Sequence, residues 1–181
     1  TSASLAATAP DTAPPTVPDN VHETGSTITS VTLAWDASSD DVGVAGYHVY
    51  RNGSLVGSPG GASFTDTGLS VNNSYTYTVS AYDAATNASA QSAPFSASSS
   101  ADTTAPTIPA NVAQTSVLDN AISLSWDAST DDVGVSGYKI SRDSSLVGTS
   151  PTTNFTDSGL QPVTPYISTV NAHDADNTAS A

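Results

Sequence analysis

Carboxylate oxygens are the chemistry this chain offers most plainly. Asp36, Asp40 and Asp41 follow a tryptophan in the stretch Trp35 to Tyr47, W-D-A-S-S-D-D-V-G-V-A-G-Y, and Asp127, Asp131 and Asp132 do so in W-D-A-S-T-D-D-V-G-V-S-G-Y, Trp126 to Tyr138. Asp83 and Asp174 fall in later loops expected at the same pole of a folded module. Such oxygen-rich groups could hold calcium, which takes about six to eight oxygen ligands. The spacing is not that of an EF-hand loop, however, and short Asp side chains also cap backbone N–H groups in Asx-type turns, with Gly43 and Gly46 as turn positions. Turn capping is the preferred reading and calcium the alternative; no other cofactor is expected. A glycosidase pair needs carboxyls about 5–10 Å apart across a cleft, and no pattern here builds one.

Other constellations fail on residue type. The chain has no cysteine, which removes thiolate catalysis, disulfides and Cys-based zinc sites together. His22, His48 and His173 are not repeated between the two stretches, and G-x-S-x-G, H-E-x-x-H and phosphate-binding glycine loops are absent. Seventeen acids against three bases give a net charge of −14, which argues against nucleic-acid or anionic-membrane partners, since both need a Lys/Arg footprint. No apolar run is long enough for membrane insertion. The expected chain is not an enzyme.

The elements that must position these acids repeat as well. Trp35 and Trp126, Arg51 and Arg142, Phe64 and Phe155, and Tyr75 and Tyr166 are each 91 residues apart, so an uninterrupted register runs through two modules. Val31, Leu33 and Trp35 alternate with polar or small residues, as do Tyr75, Tyr77, Val79 and Ala81, which is the period of half-buried strands. Asn52-Gly53 reads as a hairpin turn between Tyr47–Arg51 and Ser54–Gly57. Further strands are expected over Val17–Thr24, Ser63–Asp66 and Ser92–Ser98, giving an all-β, seven-strand sandwich. In the second copy Ser168 stands where Tyr77 does and Pro165 precedes Tyr166, so a looser core is expected there.

One Trp in the second strand, Tyr47 in the third, Leu69 six residues before Tyr75, and then Y-x-V-x-A resemble the fibronectin type III module. The stretches R-N-G-S-L-V-G, F-T-D-T-G-L and Y-T-Y-T-V-S-A-Y-D-A look like its bacterial subtype, found as accessory repeats in secreted polysaccharide-degrading enzymes and in surface proteins. The resemblance implies two tandem immunoglobulin-like sandwiches, an extracellular or cell-surface location, and a scaffold rather than a reaction. Trp35 and Trp126 are then core residues, and Tyr75 and Tyr166 occupy tyrosine-corner positions. Tyr50 and Tyr82 face away from the core stripe and are the candidate polysaccharide platform; their counterparts, Ser141 and His173, are not. Asn52, Asn72, Asn87 and Asn154 begin N-x-S/T sequons where glycans could attach.

The ends divide as residues 1–10, 11–101 and 102–181. The second module reaches Ala181, the counterpart of Ala90, and is expected to lack its own last strand. Residues 1–9 run parallel to Gln91–Ser99 and read as the last strand of a preceding module or as a donated strand. A head-to-tail array of copies or adjacent repeats follows, a spacer or filament whose interface comprises Ser2, Ser4, Leu5 and Ala7 against Tyr75, Tyr166 and Val170. The alternative is an accessory module of a secreted polysaccharide hydrolase.

Overall fold

A computed structural model describes residues 9–175 and 178–180. The chain folds as two compact units that divide between Ala101 and Asp102. Unit 1 contains β1 (Asp19–Thr27), β2 (Ser30–Asp36), β3 (Val44–Arg51), β4 (Ser54–Gly57), β5 (Ser63–Thr67), β6 (Ser74–Asp83) and β7 (Phe95–Ser98). They form two antiparallel sheets, ordered β1-β2-β5 and β4-β3-β6-β7. Alternation explains the core between them. Val31, Leu33 and Trp35 of β2 point inward, and so do Tyr47 and Val49 of β3 and Tyr77, Val79 and Ala81 of β6. Trp35 packs edge-on against Tyr47 with ring centroids 5.3 Å apart, and both are buried.

The β3–β4 turn is made by Asn52 (φ 50°) and Gly53 (φ 81°), both left-handed as a type I′ turn requires. β1 begins at Asp19, later than the expected Val17. Pro18 has no N–H to give to a ladder, and the N–H of Thr16 is already bound to the Ser39 carbonyl. Residues 9–18 therefore form a lead-in segment along the module rather than part of its sheet.

Unit 2 contains β8 (Ala113–Leu118), β9 (Ala121–Ser125), β10 (Gly137–Arg142), β11 (Ser145–Ser150), β12 (Asn154–Ser158) and β13 (Ser168–His173), with sheets β8-β9-β12 and β11-β10-β13. It is the same sandwich without a seventh strand among the described residues. The effect is local. Ser74–Tyr77 of β6 pair with β7, whereas Pro165–Ile167, the counterparts of Ser74–Thr76, are not strand, and β13 starts at Ser168. Proline removes one donor there, and among the described residues no strand lies alongside on the side that β7 occupies in unit 1. The core narrows to Leu124, Trp126, Tyr138, Ile140, Val170 and Ala172, with Phe155, Ile122, Val135 and Val147 packed against it.

Candidate functional site

The acids after each tryptophan divide into two roles. Asp36 and Asp127, at the ends of the second strands, accept from the side-chain amides of Asn20 (3.4 Å) and Asn111 (2.6 Å), and neither joins a carboxylate cluster. The three-carboxylate groups of the two units are formed by other acids. Asp40 Oδ2 accepts from the N–H groups of Val42 (3.0 Å) and Gly43 (2.8 Å), and Asp131 Oδ2 from those of Val133 (3.0 Å) and Gly134 (2.9 Å). The turn-capping reading thus describes one oxygen of each. Gly43 and Gly134, at φ 142° and 128°, occupy backbone that other residues rarely adopt.

Carboxylates from separate segments also gather. In unit 2, Asp102, Asp131 and Asp174 each place a carboxylate oxygen within 4.8 Å of the others; in unit 1 the group is Asp11, Asp40 and Asp41. Asp11 and Asp102 lie in the lead-in segments and are absent from the acids singled out above. The 91-residue register relates them, and applying that register to every acid would have found the pair. Asp132 is exposed and accepts from the Thr104 hydroxyl, at 3.4 Å.

Asp83 and its counterpart Asp174 are both buried. In unit 1 Asn87 satisfies Asp83 completely: its backbone N–H donates to Oδ1 (2.8 Å) and its Nδ2 to Oδ2 (2.7 Å). Burial pushes the Asp83 carboxyl up, but these donors outweigh it and hold the group below the usual carboxylate range. Nδ2 of Asn87 also reaches the Asp11 carbonyl, at 3.3 Å, fastening the lead-in segment to the module. The corresponding residue in unit 2 is Thr178, whose N–H bonds Asp174 Oδ1 at 2.8 Å.

The aromatic face is smaller than the sequence suggests. Tyr82 lies flat on His48, with ring centroids 4.5 Å apart, so one of its faces is already occupied. Tyr50, His48 and Tyr82 follow one another on the outer face of β3 and β6, opposite Thr78, Ser80 and Gly46 in register. Tyr75 and Tyr166 spend their hydroxyls internally, accepting from the N–H groups of Ser70 (2.9 Å) and Gln161 (3.0 Å), while Arg51 and Arg142 stand over their rings. Val170 belongs to the unit 2 core. Ser2, Ser4, Leu5 and Ala7 lie outside the described residues. Of the sequons, Asn72 and Asn154 are exposed; Asn52 is exposed too, though its Oδ1 accepts from Thr76 N at 3.0 Å. Asn87 has both amide hydrogens engaged, so a glycan there would break a bond.

Residues 105–180 match the fibronectin type III domain family. Unit 1 repeats that unit's strands, order and register 91 residues earlier. The chain is a tandem of fibronectin type III modules. Along nearly all its length, 94%, it is 47% identical to chitinase A1 of Niallia circulans, and over 96% it is 43% identical to exoglucanase B of Cellulomonas fimi. Half of it is 52% identical to chitinase Chi52 of Paenibacillus xylanexedens. The tandem spans only 25%, 16% and 17% of these proteins. These fibronectin type III modules are therefore of the bacterial subtype that accompanies polysaccharide-degrading enzymes.

Proposed function

We propose that this tandem is a non-catalytic accessory and spacer segment of an extracellular protein that acts on polysaccharide. The observation that carries this reading is the pattern of likeness: close identity over nearly the whole tandem to a quarter or less of a chitinase and an exoglucanase. The site chemistry agrees with it. Of the gathered carboxylates, Asp11, Asp40, Asp102, Asp131 and Asp174 each cap a turn with one oxygen, whereas a glycosidase presents its two carboxyls across an open cleft. Any sugar contact of unit 1 belongs to Tyr50, His48 and Tyr82; Ser141, Lys139 and His173 replace them in unit 2. The test is incubation of the whole chain with insoluble chitin and cellulose. No soluble sugar should appear, and any retention should fall when Tyr50→Ala and Tyr82→Ala are combined. Sugar release abolished by Asp→Asn changes in the clusters would overturn the reading.

One observation favours strand donation between copies as a finer form of the spacer role. Around the end of β7 unit 1 is polar: Ser100 N–H bonds the Thr27 carbonyl, and its hydroxyl meets Ser26. The equivalent rim of unit 2 carries Val117, Leu118, Val163 and Ile167, all exposed. An apolar rim beside a strand edge that is unpaired among the described residues suits an added apolar strand, and Leu5-Ala6-Ala7 is more apolar than Phe95-Ser96-Ala97. Sedimentation of residues 10–181 against the full chain decides this: the shortened chain should stay monomeric where the full one assembles, and equal assembly excludes donation.

A further inference from the structure

We propose that unit 2 binds one calcium ion through Asp102, Asp131 and Asp174. Three facts carry it. First, the donor set is oxygen only, from three separate parts of the module: the lead-in segment, the loop after Trp126, and the loop after β13. Second, each aspartate gives one oxygen to a turn: Asp102 Oδ1 to Thr104 N (2.9 Å), Asp131 Oδ2 to Val133 N and Gly134 N, and Asp174 Oδ1 to Thr178 N. The side chains are thereby held in place before any ligand arrives. Third, the remaining oxygens, Asp102 Oδ2, Asp131 Oδ1 and Asp174 Oδ2, are buried and have no hydrogen-bond partner. Asp102 and Asp174 are only 7% and 2% exposed.

Buried carboxylate oxygens without donors are costly, and three from one cluster of carboxylates are more so. Neither arginine relieves them, since Arg51 and Arg142 are bound to Asp66 and Asp157. A hard cation does. Calcium–oxygen bonds of about 2.3–2.6 Å span a shell roughly 5 Å across, so oxygens within 4.8 Å of one another can all touch one ion. A hollow lined by Ser129, Asp131, Gly134 and Tyr138 opens beside the group and gives the ion a path in. Backbone carbonyls and water complete the shell, as calcium's high coordination number requires.

Unit 1 supplies the contrast. There Asn87 ties Asp83 to the lead-in segment through its amide. Thr178 has no such donor, and the ion does the tying in unit 2. Asp11 Oδ2 and Asp40 Oδ1 are also unpartnered and, with exposed Asp41, leave unit 1 a shallower and weaker version of the site.

The test uses the whole chain, stripped with chelator and titrated with calcium chloride at constant ionic strength. Calorimetric titration should show saturable uptake with half-saturation at or below about 1 mM. The unit 2 melting transition should rise by about 10–20 °C at a hundredfold excess over Kd. Asp102→Asn and Asp174→Asn keep the turn caps but remove charge, and each should weaken the uptake by about tenfold or more. Asp132→Asn, the same charge change on an exposed neighbour, should leave it within about twofold. Equal losses in all three variants, or no uptake at 10 mM, overturn the proposal. Where a variant does not fold, the amide resonances of the unaltered chain decide. Thr104, Val133, Gly134 and Thr178 must shift as calcium is added, and shifts confined to other amides overturn the assignment.

Discussion

Tyr77 is where the two modules differ most in chemistry. Its ring is fully buried and its hydroxyl donates to Asp66 Oδ2 at 2.8 Å, completing a set in which Nη1 of Arg51 holds both Asp66 oxygens at 2.9 and 2.8 Å. In unit 2 Arg142 binds Asp157 alike, but Ser168 contributes no phenol. Burial first, and then the bond to Asp66 and its charge, push the Tyr77 pKa well above the ordinary phenol value. A raised acid pKa means that stability is whole below pH 10, the unfolded value, and falls as pH rises beyond it, because only the unfolded phenol ionises. Tyr77→Phe should cost unit 1 about 1–2 kcal/mol at neutral pH, and should flatten its loss of stability above about pH 10. Urea titrations at pH 7 and pH 11 measure both. Gly57 and Gly148 are a second residue-scale case: a Cβ would stand 2.2 Å and 2.5 Å from the rings of Phe64 and Phe155. Each ring packs against its module's core, so Gly148→Ala should destabilise unit 2 by about 1–3 kcal/mol, read from its denaturant midpoint.

Turns and strands carry the next differences. The β10–β11 hairpin adopts the left-handed pair of the β3–β4 hairpin, but with Asp143 (φ 49°) and Ser144 (φ 67°) in place of Asn-Gly. Asp143 Oδ1 accepts from Ile167 N at 3.0 Å, as Asn52 Oδ1 does from Thr76 N, so the first position compensates its strain. Ser144 has no such bond to a backbone donor among those described and carries the Cβ penalty of about 1 kcal/mol. Ser144→Gly should therefore raise unit 2 stability by about 1 kcal/mol, and Gly53→Ser should lower unit 1 by a similar amount. Thermal melting of each variant checks the pair. Strand alternation, the Asn-Gly turn and the tyrosine corners were legible in the sequence because each is a local pattern of period two or of fixed short spacing. The grouping of Asp102 with Asp131 and Asp174 was not, because it joins three segments that only the closed sandwich brings together. Nor does the sequence alone reveal that Asn87 satisfies Asp83 in one copy while Asp174 keeps a free oxygen in the other.

At the scale of the whole chain, two modules of one plan have unequal reserves. Unit 1 closes its second sheet with β7 and buries Ala97 from that strand beside Tyr77, Val79 and Ala81. Unit 2 lacks these contacts among the described residues, holds a serine at the Tyr77 position, strains Ser144, and leaves one buried oxygen of each of three gathered carboxylates without a partner. Each term acts in the same direction, so in chelator the chain should melt in two steps with unit 2 first. The net charge of −14 acts on both modules. Like charges on a compact surface repel, and this repulsion is screened when the Debye length falls from about 30 Å at 0.01 M to about 8 Å at 0.15 M salt. Sodium chloride should accordingly lift both transitions together, by a few degrees. Ser144→Gly identifies the lower step as unit 2 if it moves that step alone. A single cooperative transition, or a Ser144→Gly shift confined to the upper step, would contradict this order. Calcium at matched ionic strength then separates screening from binding, because screening raises both steps equally whereas an ion held by Asp102, Asp131 and Asp174 raises the lower one further.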